Sequence, residues 1–276
     1  LVLGHPRVMG ILNVTPDSFY DGGRYNSHAD ATARGAQLLA DGADILDVGG
    51  ESTRPGAAPV DQNEELARVM PVVEAMARGG ARVSVDTRQE RVMRAAAAAG
   101  AALINDVAAL SLPGSLEAAA ETGLPVVLVH SNADPRTMQD DPRYGDVALE
   151  VYDYLEGRIA AAEEAGIPRA RIVVDPGIGF AKTAVHNAAL LESLALFHGL
   201  GCPVMLGASR KSFIGKFHRG VAADDRLAGS VAASLWAAAQ GVQFLRVHDV
   251  AETVQAIAVW RIAGNHKLLP DSASAN

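Results

Sequence analysis

Val126-Val-Leu-Val-His130 and Ile172-Val-Val-Asp-Pro-Gly-Ile-Gly-Phe180 decide the fold, because each opens as an unbroken apolar run and stops on a polar or glycine-rich turn. A strand with one face in water alternates apolar and polar residues, whereas a parallel strand covered on both faces reads as continuous. Both runs are of the second kind. Similar short runs recur at residues 8–13, 45–48, 83–86, 103–106, 204–208 and 244–247. Longer Ala- and Leu-rich stretches of helical period lie between them, near 30–40, 63–77, 89–98, 115–121, 147–165, 184–197 and 224–240, with 250–262 last. Eight units of strand followed by helix, in a chain of 276 residues, is the arithmetic of one (β/α)8 barrel. An open doubly wound sheet is the alternative that the same alternation allows. No linker, low-complexity tract or shift in composition divides the chain, so a single domain is expected, with a frayed polar tail at 271–276.

Composition excludes several function classes. Lys and Arg number 24 against 32 Asp and Glu, a formal charge of −8, which is the wrong sign for a general nucleic-acid or anionic-membrane binder. Any anion must be held by a few local cations. The longest apolar run, residues 95–104 between Arg94 and Asn105, is far short of the ~18 residues that cross a bilayer. Leu1 to Arg7 shows no basic stretch followed by an apolar one, so no secretory leader is expected and a cytoplasmic location is the default. Cys202 is the only cysteine, which excludes an internal disulfide or a cysteine zinc cluster, and its place before an apolar run suits a small core residue.

In a barrel the carboxyl ends of the strands face the active site. Here those ends carry Asn13, Gly49-Gly50-Glu51, Asp86, Asn105-Asp106, His130, Asp175, Ser209-Arg210-Lys211, Arg246 and His248. One polar strand end is unremarkable, since loops favour Asp and Asn; a polar end on every strand is harder to dismiss. The cations gather late, after strands seven and eight, where backbone donors, helix N-termini and guanidinium groups can converge on a phosphate. Asp86, Asn105 and Asp175 instead offer acceptors and an amide, suited to a flat heterocycle with several N–H donors. Two long loops, 13–23 and 49–57, have the composition of binding loops with glycine hinges. No phosphate-binding P-loop pattern and no His-Glu-x-x-His spacing occurs, which points to a hard ion carried in by substrate phosphates rather than a protein-caged metal.

At these residues the chain resembles the dihydropteroate synthase family over about residues 8–261. The resemblance rests on residues 9–23 and 42–55, on Ser84-Val-Asp-Thr87, Ile104-Asn-Asp-Val107 and Asp175-Pro-Gly-Ile-Gly-Phe180, and on residues 209–215 and Arg246-Val-His-Asp249. It implies condensation of a 7,8-dihydropterin bearing a hydroxymethyl diphosphate with p-aminobenzoate, releasing diphosphate. By similarity, Asp86, Asn105, Asp175 and Lys211 would hold the pterin, Asn13 would ligate Mg²⁺, and Arg246 and His248 would hold the diphosphate. Thr53, Arg54, Pro55, Phe180 and Ser209 would shape the aminobenzoate site. The first loop, with Asp17 and Phe19, would close over it. Family members also form homodimers, and the small residues Ala228, Gly229, Ala232 and Ala233 beside Trp236 could pack against a second copy.

The chain departs from the family pattern at Ser131-Asn132, where a methionine commonly follows the histidine, at Ala181 in place of a frequent glycine, and at Tyr20 in the first loop. None removes a charge that the chemistry needs. Three other readings share some of these residues: a pterin-binding methyltransferase barrel, a paralogue that binds pterin without turnover, and a Schiff-base aldolase using Lys211.

Overall fold

The computed structural model describes residues 4–15, 27–51, 60–131 and 142–264. The chain begins with β1 (Arg7–Asn13), α1 (Ser27–Ala40), β2 (Ile45–Gly49), α2 (Gln62–Arg78), β3 (Val83–Asp86), α3 (Glu90–Ala98), β4 (Leu103–Asp106) and α4 (Ser115–Thr122). There follow β5 (Val126–Val129), α5 (Val147–Glu164), β6 (Ile172–Asp175), α6 (Ala184–Glu192), β7 (Met205–Leu206), α7 (Ser212–Phe217), α8 (Leu227–Ala239), β8 (Phe244–Val247) and α9 (Val250–Ala263). All strand pairs are parallel, in the order β6-β5-β4-β3-β2-β1-β8-β7. A bridge between Val174 and Val204, with the Val174 N–H donating to the Pro203 carbonyl at 2.9 Å, closes β6 onto the entry to β7. The result is the expected (β/α)8 barrel rather than the open sheet.

Closure forces strand residues to alternate between the barrel interior and the surrounding helices. Met9, Ile45, Leu103, Val127, Val129, Val173, Met205 and Phe244 form the interior core. Strand residues of the opposite parity, among them Leu46, Val48, Val85, Ile104, Leu128 and Val174, pack outward into the larger core under the helices. One pleat further along the same inward face, the residues change character. Ile45 is followed by Asp47, Ser84 by Asp86, Leu103 by Asn105, Val173 by Asp175 and Phe244 by Arg246. The bottom of the barrel is oily and its mouth is charged, and that switch of polarity positions the site.

The helices are held by local devices. Asp61 caps α2, accepting from the Asn63 N–H at 2.9 Å, and Thr183 forms a reciprocal capping box with His186 on α6. Two helical expectations change. The helix predicted over 184–197 ends at Glu192, where the Ser193 N–H is shared between the Ala189 and Leu190 carbonyls, and a 3-10 segment, Leu194–Leu200, carries on. The stretch predicted over 224–240 starts as a 3-10 turn, Ala223–Arg226, with the Arg226 side chain donating to the Val221 and Arg210 carbonyls. Short α7 was not predicted; at six residues it has too few positions for a helical period to show.

The small-residue face of α8 divides between two tasks. A Cβ on Gly229 would lie 2.3 Å from Cγ2 of Ile214, so this glycine lets α7 pack against α8 within the chain, and Ala233 is buried too. Ala228, Ala232 and Trp236 remain on the exposed side. Cys202 is buried, its thiol pushed up to about 11 by burial, as befits a core residue and not a nucleophile. Among the described residues no helix is long and apolar enough to cross a membrane.

Candidate active site

The mouth of the barrel is organised around one guanidinium. Arg246, from β8, donates through Nε to Asp47 at 2.6 Å and through Nη2 to Asp86 at 2.6 Å. Asp47 also accepts from the Asn105 side-chain amide at 3.0 Å. Four strands are thus joined through side chains that are all buried or nearly so. Burial works against the charge on Arg246, and the two carboxylates outweigh it, raising its pKa. Burial likewise raises Asp86, with Arg246 opposing and Asp47 adding to the rise. Asp86 thus shares its cation with a second carboxylate, which favours its protonated form.

Asp175 and Lys211 supply the other wall. Asp175 Oδ1 accepts from the Gly177 N–H at 2.7 Å, and Oδ2 is turned toward Gly207, where Arg246 also approaches. Burial raises the Asp175 pKa against the pull of Lys211. Lys211 donates to the Ile178 carbonyl, and its ammonium stands 4.2 Å from the Phe180 ring centroid. Burial lowers Lys211 to about 8, opposed by Asp175. Ser209 Oγ and His248 Nδ1 are 3.0 Å apart, which joins the loops after β7 and β8. Asn13 ends β1, opposite Gly49.

Three buried polar atoms here have no partner among the described residues: Asp47 Oδ1, Ser84 Oγ and Asn105 Oδ1. An unmatched buried acceptor costs stability, and three on one inward face mark where a ligand with N–H donors, or water in its place, would attach. The strand-end prediction therefore brings Asp86, Asn105, Asp175, Lys211, Arg246, Ser209, His248 and Phe180 to one end of the barrel. It missed Asp47, which lies inside β2 and not at its end. The signal that could have found it is parity, because Asp47 is two residues past inward-facing Ile45.

Other polar strand ends do not join the site, and the same parity explains two of them. Asp106 follows inward Asn105 and so points outward, accepting from the Ala108 and Leu110 N–H groups at 2.7 and 2.9 Å. His130 follows inward Val129 and is buried behind the mouth. Glu51 binds Arg88 through both oxygens, and Arg210 is held by Asp249 and Asp224. Glu65 on α2, absent from the sequence expectations, is 1% exposed, and burial pushes it up to about 7. The predicted loop residues Asp17, Phe19, Tyr20, Thr53, Arg54 and Pro55, together with Asn132 and the tail, lie outside the described residues.

A family profile described as "Pterin binding enzyme" matches residues 9–248. The dihydropteroate synthase of Escherichia coli K12 is 54% identical over 260 residues, 94% of this chain and 92% of that protein. The chain belongs to the dihydropteroate synthase family of pterin-binding enzymes. Two solved structures of the Xanthomonas albilineans dihydropteroate synthase superpose closely. The one with 4-aminobenzoic acid has a TM-score of 0.90 at 51% identity, covering 96% of this chain and 95% of that one. The one with 7,8-dihydropteroate has a TM-score of 0.87 at 49% identity, with the same coverage.

Asn13, at the end of β1 opposite Gly49, offers a neutral amide to an ion. Among the described residues no group of three His, Cys, Asp or Glu could hold a metal. That donor set fits a hard ion that arrives with most of its ligands already on the substrate's phosphates.

Proposed function

We propose that this chain is a dihydropteroate synthase that joins 6-hydroxymethyl-7,8-dihydropterin diphosphate to p-aminobenzoate, releasing diphosphate and forming 7,8-dihydropteroate for folate synthesis. The observation that carries this reading is the buried ring of Asp47, Asp86, Asn105, Asp175, Lys211 and Arg246 at the mouth of a barrel of this family.

The ring suits the chemistry. Asp86, Asn105, Asp175 and Lys211 bind the pterin, the carboxylates accepting from its ring N–H groups. As the bond from the pterin methylene to the diphosphate oxygen breaks, positive charge spreads from that carbon into the electron-rich ring. The carboxylates of Asp86 and Asp175 at the mouth favour that cation, without a covalent nucleophile. Nη1 of Arg246, which carries neither of the two carboxylate bonds, and His248 take up charge on the departing diphosphate. Asn13 would hold Mg²⁺ against that group, and the ion supplies charge neutralisation when bound. The arylamine is unprotonated at neutral pH, so no strong general base is required. Phe180 and Ser209, with Thr53, Arg54 and Pro55, bound the aminobenzoate, and the loop with Asp17 and Phe19 closes over it.

Incubating the protein with the dihydropterin diphosphate, p-aminobenzoate and Mg²⁺ is expected to yield dihydropteroate and diphosphate by mass spectrometry, and a chelator is expected to stop it. Pterin binding without product would overturn the reading in favour of a silent paralogue or a methyltransferase. We also read the enzyme as a cytoplasmic homodimer, with exposed Ala228, Ala232 and Trp236 on α8 facing the second copy. Light scattering at micromolar concentration should give twice the 28.7 kDa chain mass, and a monomer would refute it.

A further inference from the structure

The loop that carries Phe180 is held from behind by two buried bases to which the reaction above gives no role. Lys182 and His130 are each 2% exposed. Lys182 Nζ lies 2.9 Å from Nδ1 of His130 and donates to the Phe180 carbonyl at 2.9 Å. His130 immediately follows β5, and Lys182 lies in the turn between β6 and α6, so the contact ties two neighbouring loops together at their roots. Further fastenings lie alongside it. The His130 N–H donates to the Asp175 carbonyl at 2.9 Å, and the Tyr144 hydroxyl donates to the Ala181 carbonyl at 3.0 Å. Gly177, at φ +69°, sits so close to His130 that a Cβ would lie 1.9 Å from its carbonyl oxygen, so only glycine fits. The His130 ring meets Tyr154 edge-on at 4.8 Å.

The pair is costly as a packing device alone. Burying a lysine is unfavourable unless it is bound, and an apolar side chain would fill the space more cheaply. Burial, with Lys211 adding and Asp175 opposing, lowers Lys182 to about 7. Burial, with Lys182 adding, lowers His130 to about 3, so the imidazole is neutral. An ammonium and an amine can each donate both to a bare Nδ1 and to the Phe180 carbonyl. The contacts therefore survive in either state of Lys182. What they hold is the backbone of Phe180, whose ring lies under Lys211 at the site.

We propose that Lys182 and His130 form a positioning pair that sets Phe180, and through it the aminobenzoate side of the site, separately from the pterin contacts of Asp86, Asn105 and Asp175. This rests on the reading of the chain as a dihydropteroate synthase with Phe180 beside p-aminobenzoate. Lys182→Met keeps the reach of the side chain and removes its donor. Steady-state kinetics with each substrate varied should show the KM for p-aminobenzoate raised about tenfold, with kcat and the pterin dissociation constant within about threefold of wild type. His130→Asn, whose Oδ1 can stand where Nδ1 stood, should recover most of that affinity, and His130→Phe should behave like Lys182→Met. If Lys182→Met does not fold, the contrast between the two His130 variants decides. An unchanged KM for p-aminobenzoate, or an equal loss for both substrates, would overturn the proposal. A wild-type protein that makes no dihydropteroate would instead overturn the reading of the reaction.

Discussion

Replacing Arg246 with alanine is expected to lower turnover by about 100-fold or more and to destabilise the fold by about 3–5 kcal/mol. The two losses share one cause. The guanidinium forks between Asp47 and Asp86, both buried, and its removal leaves two carboxylates facing each other without a cation. Breaking a buried pair from one side costs far more than the pair contributes net, because the stranded charge must be neutralised or hydrated. Arg246→Lys should repair this only in part, since one ammonium cannot match the planar fork. The stability loss should depend on pH. Asp86 already stands at about 7 in the folded chain, against 3.8 as its ordinary value, and loss of Arg246 removes the main influence lowering it. A group raised on folding binds its proton more tightly in the folded state, so its favourable contribution is full below about pH 4 and is lost as pH rises through about 7. The variant should therefore be closest to wild type near pH 5 and furthest from it at pH 8. Urea unfolding at both values measures the difference, and wild-type stability at pH 8 would rule out the buried fork as described.

Asp175→Asn is expected to weaken pterin binding by roughly 100-fold while leaving the fold intact. The variant keeps an oxygen for the Gly177 N–H, so the turn after β6 stays tied. It replaces the oxygen on the Gly207 side with an amide nitrogen, which presents a donor to a donor of the pterin ring. Losing a charge-assisted hydrogen bond costs roughly 1.5–3 kcal/mol, and the repulsion between donors adds to it. Lys211, whose ammonium Asp175 supports, should also fall below its present value of about 8. Calorimetry with a pterin, beside a thermal melt, separates loss of the ligand from loss of the fold. Unchanged pterin affinity would mean that the ligand does not lie against β6.

How far the sequence could be read follows from the range of each interaction. Continuous apolar runs such as 126–129 and 172–174, and the turns that end them, are local, so the strands could be placed almost to the residue, except that the seventh, expected over 204–208, is only Met205–Leu206. The helical expectations failed where distant groups intervene, as at Arg226, whose side chain reaches back to the Arg210 carbonyl and helps shape the turn before α8. At the site, reading the polar residues at the strand ends found Asp86, Asn105 and Asp175 but also named Asp106, which turns outward to hold its own loop.

By itself, the order of residues determined eight strands, their parallel burial and a ring of polar side chains at one end, because period and composition are properties of short stretches of chain. Which members of that ring meet was decided by tertiary structure alone. Inward direction depends on the parity of each residue within its strand, and contact depends on the register between strands far apart in sequence. Asp47 and Arg246 are separated by 199 positions and come within 2.6 Å only because the barrel closes.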